Sequence, residues 1–116
     1  MRSAGSDDFQ HFDPPFLSFT WDENKRRINI ERHGIDFVDV LPAFGKPMIR
    51  KRSDRNGELR YLVIGDTYGR EVAVAYKEEE GDTCRIISAR QASRDERAAY
   101  RALLLRGGNE SQPRRD

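Results

Sequence analysis

A chain of 116 residues is large enough for one modest hydrophobic core and too short for two, so the sequence predicts a single domain. Hydrophobic residues make up 36% of the chain, charged residues make up 35%, and the formal net charge is +1, which indicates a lean core beneath a charged surface. No apolar run approaches the roughly 18 residues of a membrane helix. The one cysteine, Cys84, excludes an intramolecular disulfide. With no hydrophobic leader segment either, we expect a cytoplasmic protein.

The N-terminal part of the chain begins with a predicted flexible arm. Residues 1–15 are polar, contain Pro14 and Pro15 and show no periodicity, and we expect the domain itself to span residues 16–106. Residues 16–21 are typical of a short strand. Asp22 can cap a helix over residues 23–32, and Gly34 suits the left-handed position that ends it.

A second helix is predicted over residues 37–44, with Asp36 as its cap and Gly45 as its end. Pro42 conflicts with a regular α-helix here, because proline removes a backbone donor and clashes with the preceding turn at a cost of about 3 kcal/mol. We therefore expect this helix to be kinked or interrupted.

The pattern becomes strand-like after Pro47. Strands are predicted over residues 48–52, 59–64, 72–76 and 83–90, and the turns between them contain Asn56-Gly57 and Gly81. Consecutive strands joined by short turns form an antiparallel meander. The predicted fold class is therefore α+β, an antiparallel sheet flanked by two N-terminal helices and one C-terminal helix.

The last helix has a capping box, in which Ser93 and Glu96 exchange hydrogen bonds with each other's backbone N–H groups, so we expect it to begin near Arg94. Its apolar stripe can cover one face of the sheet and consists of Ala99, Tyr100, Leu103 and Leu104. Gly107 and Gly108 are expected to end it, which leaves residues 107–116 as a predicted flexible tail.

Basic residues cluster in two segments, residues 50–60 and 85–106, although the net charge is close to zero. Guanidinium groups at a strand-to-helix corner suit a phosphate-bearing partner, because each donates in bidentate geometry. The same pattern is also typical of side chains that only solvate a small domain.

The inventory of chemically active side chains is poor. The only histidines are His11 and His33, and no His, Cys or Asp cluster has the spacing of metal ligands, so we expect no metal and no cofactor. What remains is compatible with metal-free RNA cleavage, in which the 2′-hydroxyl attacks the neighbouring phosphate and cations stabilise the added charge. His33 could equally cap the last carbonyls of its helix. Arg60 could be an edge residue whose charge only reaches solvent.

The strand before the last helix carries Arg85 and Arg90 at an odd separation. In a regular strand these two side chains face opposite ways, and only a bulge or the strand's end would bring both to one site.

Five segments carry motifs that occur in a fixed order along residues 19–100. They are Phe19-Thr20-Trp21-Asp22 with Lys25, Asn29 and His33-Gly34; Phe37 and Phe44; residues 58–65; residues 85–90; and residues 93–97 with Tyr100. Together they resemble the motifs of the BrnT family of type II toxins, which share the RelE-like ribonuclease fold. Asp39 and Pro42 depart from the family's usual residues in the second helix.

This resemblance implies an endoribonuclease toxin that blocks translation. We expect it to cleave RNA without a metal ion. It also implies a BrnA-like antitoxin with a ribbon-helix-helix part that binds operator DNA, and we expect a 2:2 complex. The catalytic residues implied are Lys25, His33, Arg60, Arg85 and Arg90. Glu58 and Glu96 are expected to orient arginines. The further basic residues expected to contact RNA are Arg50, Lys51, Arg52, Arg94 and Arg97. The alternative is a binding module that uses the same basic face without catalysis.

Overall fold

The structure of the protein is a computed structural model that describes residues 8–111, with side chains described through residue 104. It contains six strands and three helices. The strands are β1 (Gln10–Phe12), β2 (Ser18–Trp21), β3 (Met48–Arg52), β4 (Tyr61–Thr67), β5 (Arg70–Glu79) and β6 (Thr83–Gln91). The helices are α1 (Glu23–His33), the 3-10 helix η1 (Phe37–Gly45) and α2 (Arg94–Ser111). No helix in this described part is both long and apolar enough to cross a membrane.

All six strands form one mixed sheet in the order β1-β3-β4-β5-β6-β2. The antiparallel meander predicted from the sequence is confirmed for β3 to β6. The prediction of a wholly antiparallel sheet is wrong at the far edge, where β2 pairs in parallel with β6 and Ser18 lies beside Thr83. A short apolar run indicates a strand but carries no information about the direction of a partner more than sixty residues away.

The other edge strand, β1, lies within the segment predicted to be flexible. Gln10 pairs with Arg50, so residues 10–12 belong to the sheet, and the preceding Phe9 is buried in the core. Three residues were too few to show an alternating pattern. Of the flexible arm and tail predicted for residues 1–15 and 107–116, residues 1–7 and 112–116 lie outside the described residues. Helix α2 continues through Gly107 and Gly108 to Ser111, beyond the predicted end.

Helix α1 has the predicted caps. The Asp22 carboxylate accepts hydrogen bonds from the backbone N–H groups of Asn24 at 2.8 Å and Lys25 at 3.2 Å. Gly34 has a φ of 71°, and its N–H donates to the carbonyl of Ile30. The helix has almost no apolar face, since Asn29 is its only buried residue. Polar contacts must therefore hold α1 against the sheet.

The segment that contains Pro42 is a 3-10 helix, which agrees with the expected departure from a regular α-helix. The Asp36 carboxylate accepts from the N–H of Val38 at 3.1 Å and from the Arg26 guanidinium at 2.8 and 2.9 Å. This ion pair lowers the pKa of Asp36, chiefly through the hydrogen bonds of Arg26. It also ties η1 to α1.

The sheet separates two hydrophobic clusters. Its first face, which includes Val63, Val74 and Tyr76, packs with the buried side chains of η1. Its second face, which includes Ile64 and Ala73, packs with the apolar stripe of α2. Helix α2 lies against β1, β3 and β4, whereas α1 lies against β6.

Candidate active site

A cleft of about 590 Å³ lies between α1 and the β3–β4 connection, over the second face of the sheet. Its floor is formed by Ala75 and Ser88, which are paired neighbours on β5 and β6. Their small side chains leave the volume above them open to a ligand. The two walls carry Lys25, Ile28, Arg32 and His33 on one side and Arg55, Asn56 and Arg60 on the other.

A β-bulge shapes the floor of this cleft. Tyr76 pairs with Ile86, and the preceding residue Ala75 pairs with Ser88, so Ile87 is an extra residue on β6. The extra residue reverses the alternation of side chains along the strand. Arg85 and Arg90 consequently lie on the same face of the sheet. Without the bulge, their odd separation in the sequence would place them on opposite faces.

Asn29 attaches α1 to the edge of β6. Its side-chain amide donates to the carbonyls of Ile35 at 2.9 Å and Ala89 at 2.8 Å, and its side-chain oxygen accepts from the N–H of Ala89 at 3.1 Å. The side chain thus replaces the strand partner that β6 lacks beyond the end of β2. Because Lys25 and His33 are on this helix, Asn29 sets the position of one wall of the cleft.

On the opposite wall, Glu58 joins two cations. Its carboxylate accepts from Arg60 Nε at 2.8 Å and from Lys77 Nζ at 2.8 Å. These hydrogen bonds, that of Lys77 first, lower the pKa of Glu58. Arg60 uses only Nε in this contact, and within the described residues its two Nη groups make no other hydrogen bond. Arg60 therefore retains four N–H donors for a ligand.

The predicted catalytic residues divide into two groups by position. Lys25, His33 and Arg60 line the cleft together. Arg85 does not line it but lies on the same face of the sheet, where Nη1 approaches the hydroxyl of Thr20 at 3.5 Å. Lys25 and His33 are exposed, and Arg60 is largely covered. No group of acidic, histidine or cysteine side chains within residues 8–104, the part of the chain whose side chains are described, is arranged to hold a metal ion.

Arg90 and Glu96 form the corner between β6 and α2. Both Nη groups of Arg90 donate to the Glu96 carboxylate, at 2.8 and 2.9 Å. Ser93 completes the predicted capping box, because its N–H donates to Glu96 at 2.8 Å and its hydroxyl accepts from the Glu96 N–H at 3.2 Å. Burial opposes ionisation of Glu96, but these contacts prevail and lower its pKa. The bidentate pair occupies the edge of Arg90 that a phosphate would use.

Three of the residues predicted to contact RNA, Arg50, Lys51 and Arg52, line a second cavity of about 470 Å³ beside Tyr61, which is separate from the cleft. Alternation along β3 places Arg50 and Arg52 on the first face and Lys51 on the second. Arg50 stacks between Phe12 and Tyr61, with its guanidinium carbon 3.9 and 4.0 Å from the two ring centroids. It also donates to the hydroxyl of Tyr76 and to Glu78. These contacts give Arg50 a structural role on the side of the sheet away from the cleft.

The remaining predicted RNA contacts differ in their surroundings. Arg52 pairs with Asp54 at 2.8 Å, and the Lys51 ammonium lies 5.0 Å from the ring of Phe9. Arg97 donates to the carbonyl of Ala92, and Arg94 is exposed at the start of α2. Alternation along β3 sends neighbouring basic side chains to opposite faces of the sheet, although Arg50, Lys51 and Arg52 all border the second cavity.

Sequence reasoning missed four residues at or beside the cleft, namely Asn29 as an anchor, Arg32, Arg55 and Lys77. Lys77 lay beyond the predicted end of its strand at Tyr76. Alternation along the strand could have predicted the position of Lys77. Residues 73, 75 and 77 stand at every second position, and their side chains share the second face of β5.

Comparison with known proteins identifies the family of this chain. Residues 21–96 match the family model described as "Ribonuclease toxin, BrnT, of type II toxin-antitoxin system". Among solved structures, the crystal structure of the Brucella abortus ribonuclease toxin BrnT is similar at 32% identity and a TM-score of 0.54, covering 67% of this chain and 99% of that one. A search of the curated proteins finds no significant match. The chain therefore belongs to the BrnT family of ribonuclease toxins of type II toxin-antitoxin systems.

Proposed function

We propose that the cleft cleaves RNA without a metal ion, by attack of a 2′-hydroxyl on the adjacent phosphorus. The observation that carries this proposal is the hydrogen bonding of Arg60, which faces Lys25 and His33 across the cleft. Glu58 holds Arg60 at Nε, and both Nη groups remain for a ligand. A guanidinium held in this way is prepared for the charge of a phosphate before the substrate arrives.

In the proposed reaction the O2′–P bond forms and the P–O5′ bond breaks, which leaves a 2′,3′-cyclic phosphate and a 5′-hydroxyl. The 2′-hydroxyl loses a proton and the 5′-oxygen gains one. We assign proton transfer to His33, the one histidine that lines the cleft. Arg60 and Lys25 bind the phosphate and stabilise the charge that develops on it. Arg85 adds positive potential from the same face of the sheet.

The two glutamates have supporting roles in this proposal. Glu58 fixes Arg60, and Glu96 fixes Arg90, as their hydrogen bonds indicate. Both Nη groups of Arg90 are engaged by Glu96, and this supports a role for Arg90 in holding the strand-to-helix corner rather than in contacting the scissile phosphate.

We further propose that a BrnA-like antitoxin with a ribbon-helix-helix part neutralises the protein in the cytoplasm. Membership of a type II family supports an antitoxin partner and an RNA substrate. Dimerisation of the antitoxin would give a 2:2 complex that reaches operator DNA only through the antitoxin. The molar mass of the co-purified complex tests this stoichiometry, and a 1:1 mass would contradict it.

The test of the enzymatic proposal is incubation of the purified protein with a defined RNA in EDTA, followed by analysis of the product ends. We expect 2′,3′-cyclic phosphate and 5′-hydroxyl ends, and a loss of roughly 100-fold or more in rate for folded Arg60→Ala or Arg85→Ala. Arg70→Ala is the matched control, because it removes the same charge from an exposed arginine at the start of β5 that does not line the cleft. Full activity in both folded arginine variants would refute the site, and intact RNA with folded wild-type protein would favour a binding module.

A further inference from the structure

Three cationic side chains lie side by side across the second face of the sheet, on β5, on β6 and immediately before β4. Lys77 on β5 is the direct partner of Arg85 on β6. Tyr61 is the partner of Tyr76, so Arg60, which immediately precedes β4, comes beside Lys77. The shared contact of Arg60 and Lys77 with Glu58 agrees with this position. Neighbouring strands are about 4.8 Å apart, so the row is closely spaced.

The positive charge of this row exceeds the negative charge that contacts it. Glu58 pairs with Arg60 and Lys77, whereas Arg85 approaches only the Thr20 hydroxyl within the described residues. Glu79 is also on this side, but its hydrogen bond is to Thr20 and not to a cation. Like charges directly opposite one another on adjacent strands are destabilising. The row therefore carries an electrostatic cost in the free protein that a bound anion would remove.

Neutralising Glu58 does not explain why Lys77 is present. The half-buried Glu58 carries one negative charge, and Arg60 already contacts it at 2.8 Å, so the second cation, Lys77, leaves this group with a net positive charge. Lys77 places a second cation beside the first, and its side chain remains 34% exposed. One of its three N–H donors is taken by Glu58, so two remain for another acceptor.

We infer that Lys77 is a substrate-binding residue, the middle cation of a row with Arg60 and Arg85 that holds the RNA backbone next to the scissile phosphate. The inference rests on the proposed function, because Arg60 belongs both to the row and to the cleft. The row extends from the cleft toward β2, which gives the strand of RNA a direction across the sheet. The ligand of Lys77 is a phosphate diester oxygen adjacent to the one attacked.

The test compares Lys77→Gln with Lys46→Gln in binding an RNA oligonucleotide that carries 2′-O-methyl groups and cannot be cleaved. Lys46 is the matched control, because it is an exposed lysine paired with a different acid, Asp66. Affinity is measured over a series of salt concentrations. Each phosphate contact on a single strand contributes about 0.7 to the slope of log K against log salt. We expect this slope to fall by about 0.7 for Lys77→Gln and to remain unchanged for Lys46→Gln.

A second readout separates binding from a purely structural role. Removal of Lys77 relieves its repulsion from Arg85 but also removes its ion pair with Glu58, which contributes little at this partly exposed position, so the Tm of Lys77→Gln should stay close to that of the wild type. Lys77→Arg should restore the salt slope. If Lys77→Gln fails to fold, Lys77→Met, which keeps the aliphatic stem, is measured in its place. A lowered slope in a variant whose Tm stays close to that of the wild type supports the inference, and an unchanged slope in the folded variant overturns it.

These measurements also distinguish the inference from the proposed function. Wild-type protein that cleaves RNA, together with an unaffected Lys77→Gln variant, refutes the role of Lys77 alone. Wild-type protein that binds RNA without cleaving it refutes the proposed reaction, and the salt slope then still decides whether Lys77 contacts phosphate.

Discussion

The hydrogen bonds of Asn29 predict a large loss of stability on a small substitution. Asn29→Ala removes three hydrogen bonds of 2.8 to 3.1 Å and leaves the N–H and C=O of Ala89 without this partner at a buried strand edge. At about 1 kcal/mol net for each bond, the expected decrease in the free energy of unfolding is about 3 kcal/mol. Because α1 has almost no apolar face, packing of the helix cannot compensate for this loss.

Urea unfolding followed by circular dichroism measures the effect directly. Asn24→Ala is the matched control on the same helix, since Asn24 is exposed and contacts only Arg27 and the cap of its own helix. We expect the control to change stability by less than about 0.5 kcal/mol. Asn29→Asp should be nearly as damaging as Asn29→Ala, because it sets a carboxylate oxygen against two carbonyls. A cost below about 1 kcal/mol for Asn29→Ala would refute the idea that this side chain anchors α1.

Two further predictions concern a turn and a helix cap. Tyr68 has a φ of 54° at the exposed β4–β5 turn, before Gly69. Asparagine tolerates this left-handed conformation better than tyrosine, and the β-branched valine tolerates it worse. Tyr68→Asn should therefore raise the free energy of unfolding, measured by urea unfolding, by about 1 kcal/mol, and Tyr68→Val should lower it. Equal stability of the wild type and both variants would contradict this prediction. The pKa of Glu96 is lower in the folded protein than in the unfolded chain, where it is about 4.3. The ionised carboxylate therefore stabilises the fold fully at a pH above the pKa of the unfolded chain, and this stabilisation is lost as the pH falls through the pKa of the folded protein. The Tm of Glu96→Gln should accordingly fall less than that of the wild type between pH 7 and pH 3, and parallel profiles would argue against the linkage.

Features that depend on a few adjacent residues could be predicted from the sequence. The cap of α1 at Asp22, its end at Gly34 and the capping box at Ser93 were correct, because each depends on hydrogen bonds between groups within four residues of one another along the chain. The four strands of the meander and the opposite orientations of Arg60 and Tyr61 followed from alternation. The RelE-like arrangement of the flanking helices stays a prediction.

Features that depend on distant partners could not be predicted. The parallel pairing of β2 with β6 joins residues 65 positions apart, and no local pattern encodes it. The bulge at Ile87 is visible only against the register of β5. Lys77 was missed because the predicted strand ended before it, at Tyr76, and because its position beside Arg85 depends on the register of β5 against β6.

The attachment of α1 to β6 has a consequence for the time at which the cleft can form. Asn29 and Ala89 are 60 positions apart, and β2 also needs β6 as its partner. Contacts across such distances form only after both segments have been synthesised, and the chain is made from its N-terminus. A nascent chain that has not reached Ala89 has Lys25 and His33 but no floor and no sheet edge on which to place them. The ribosome that makes this toxin therefore completes most of the chain before the cleft exists.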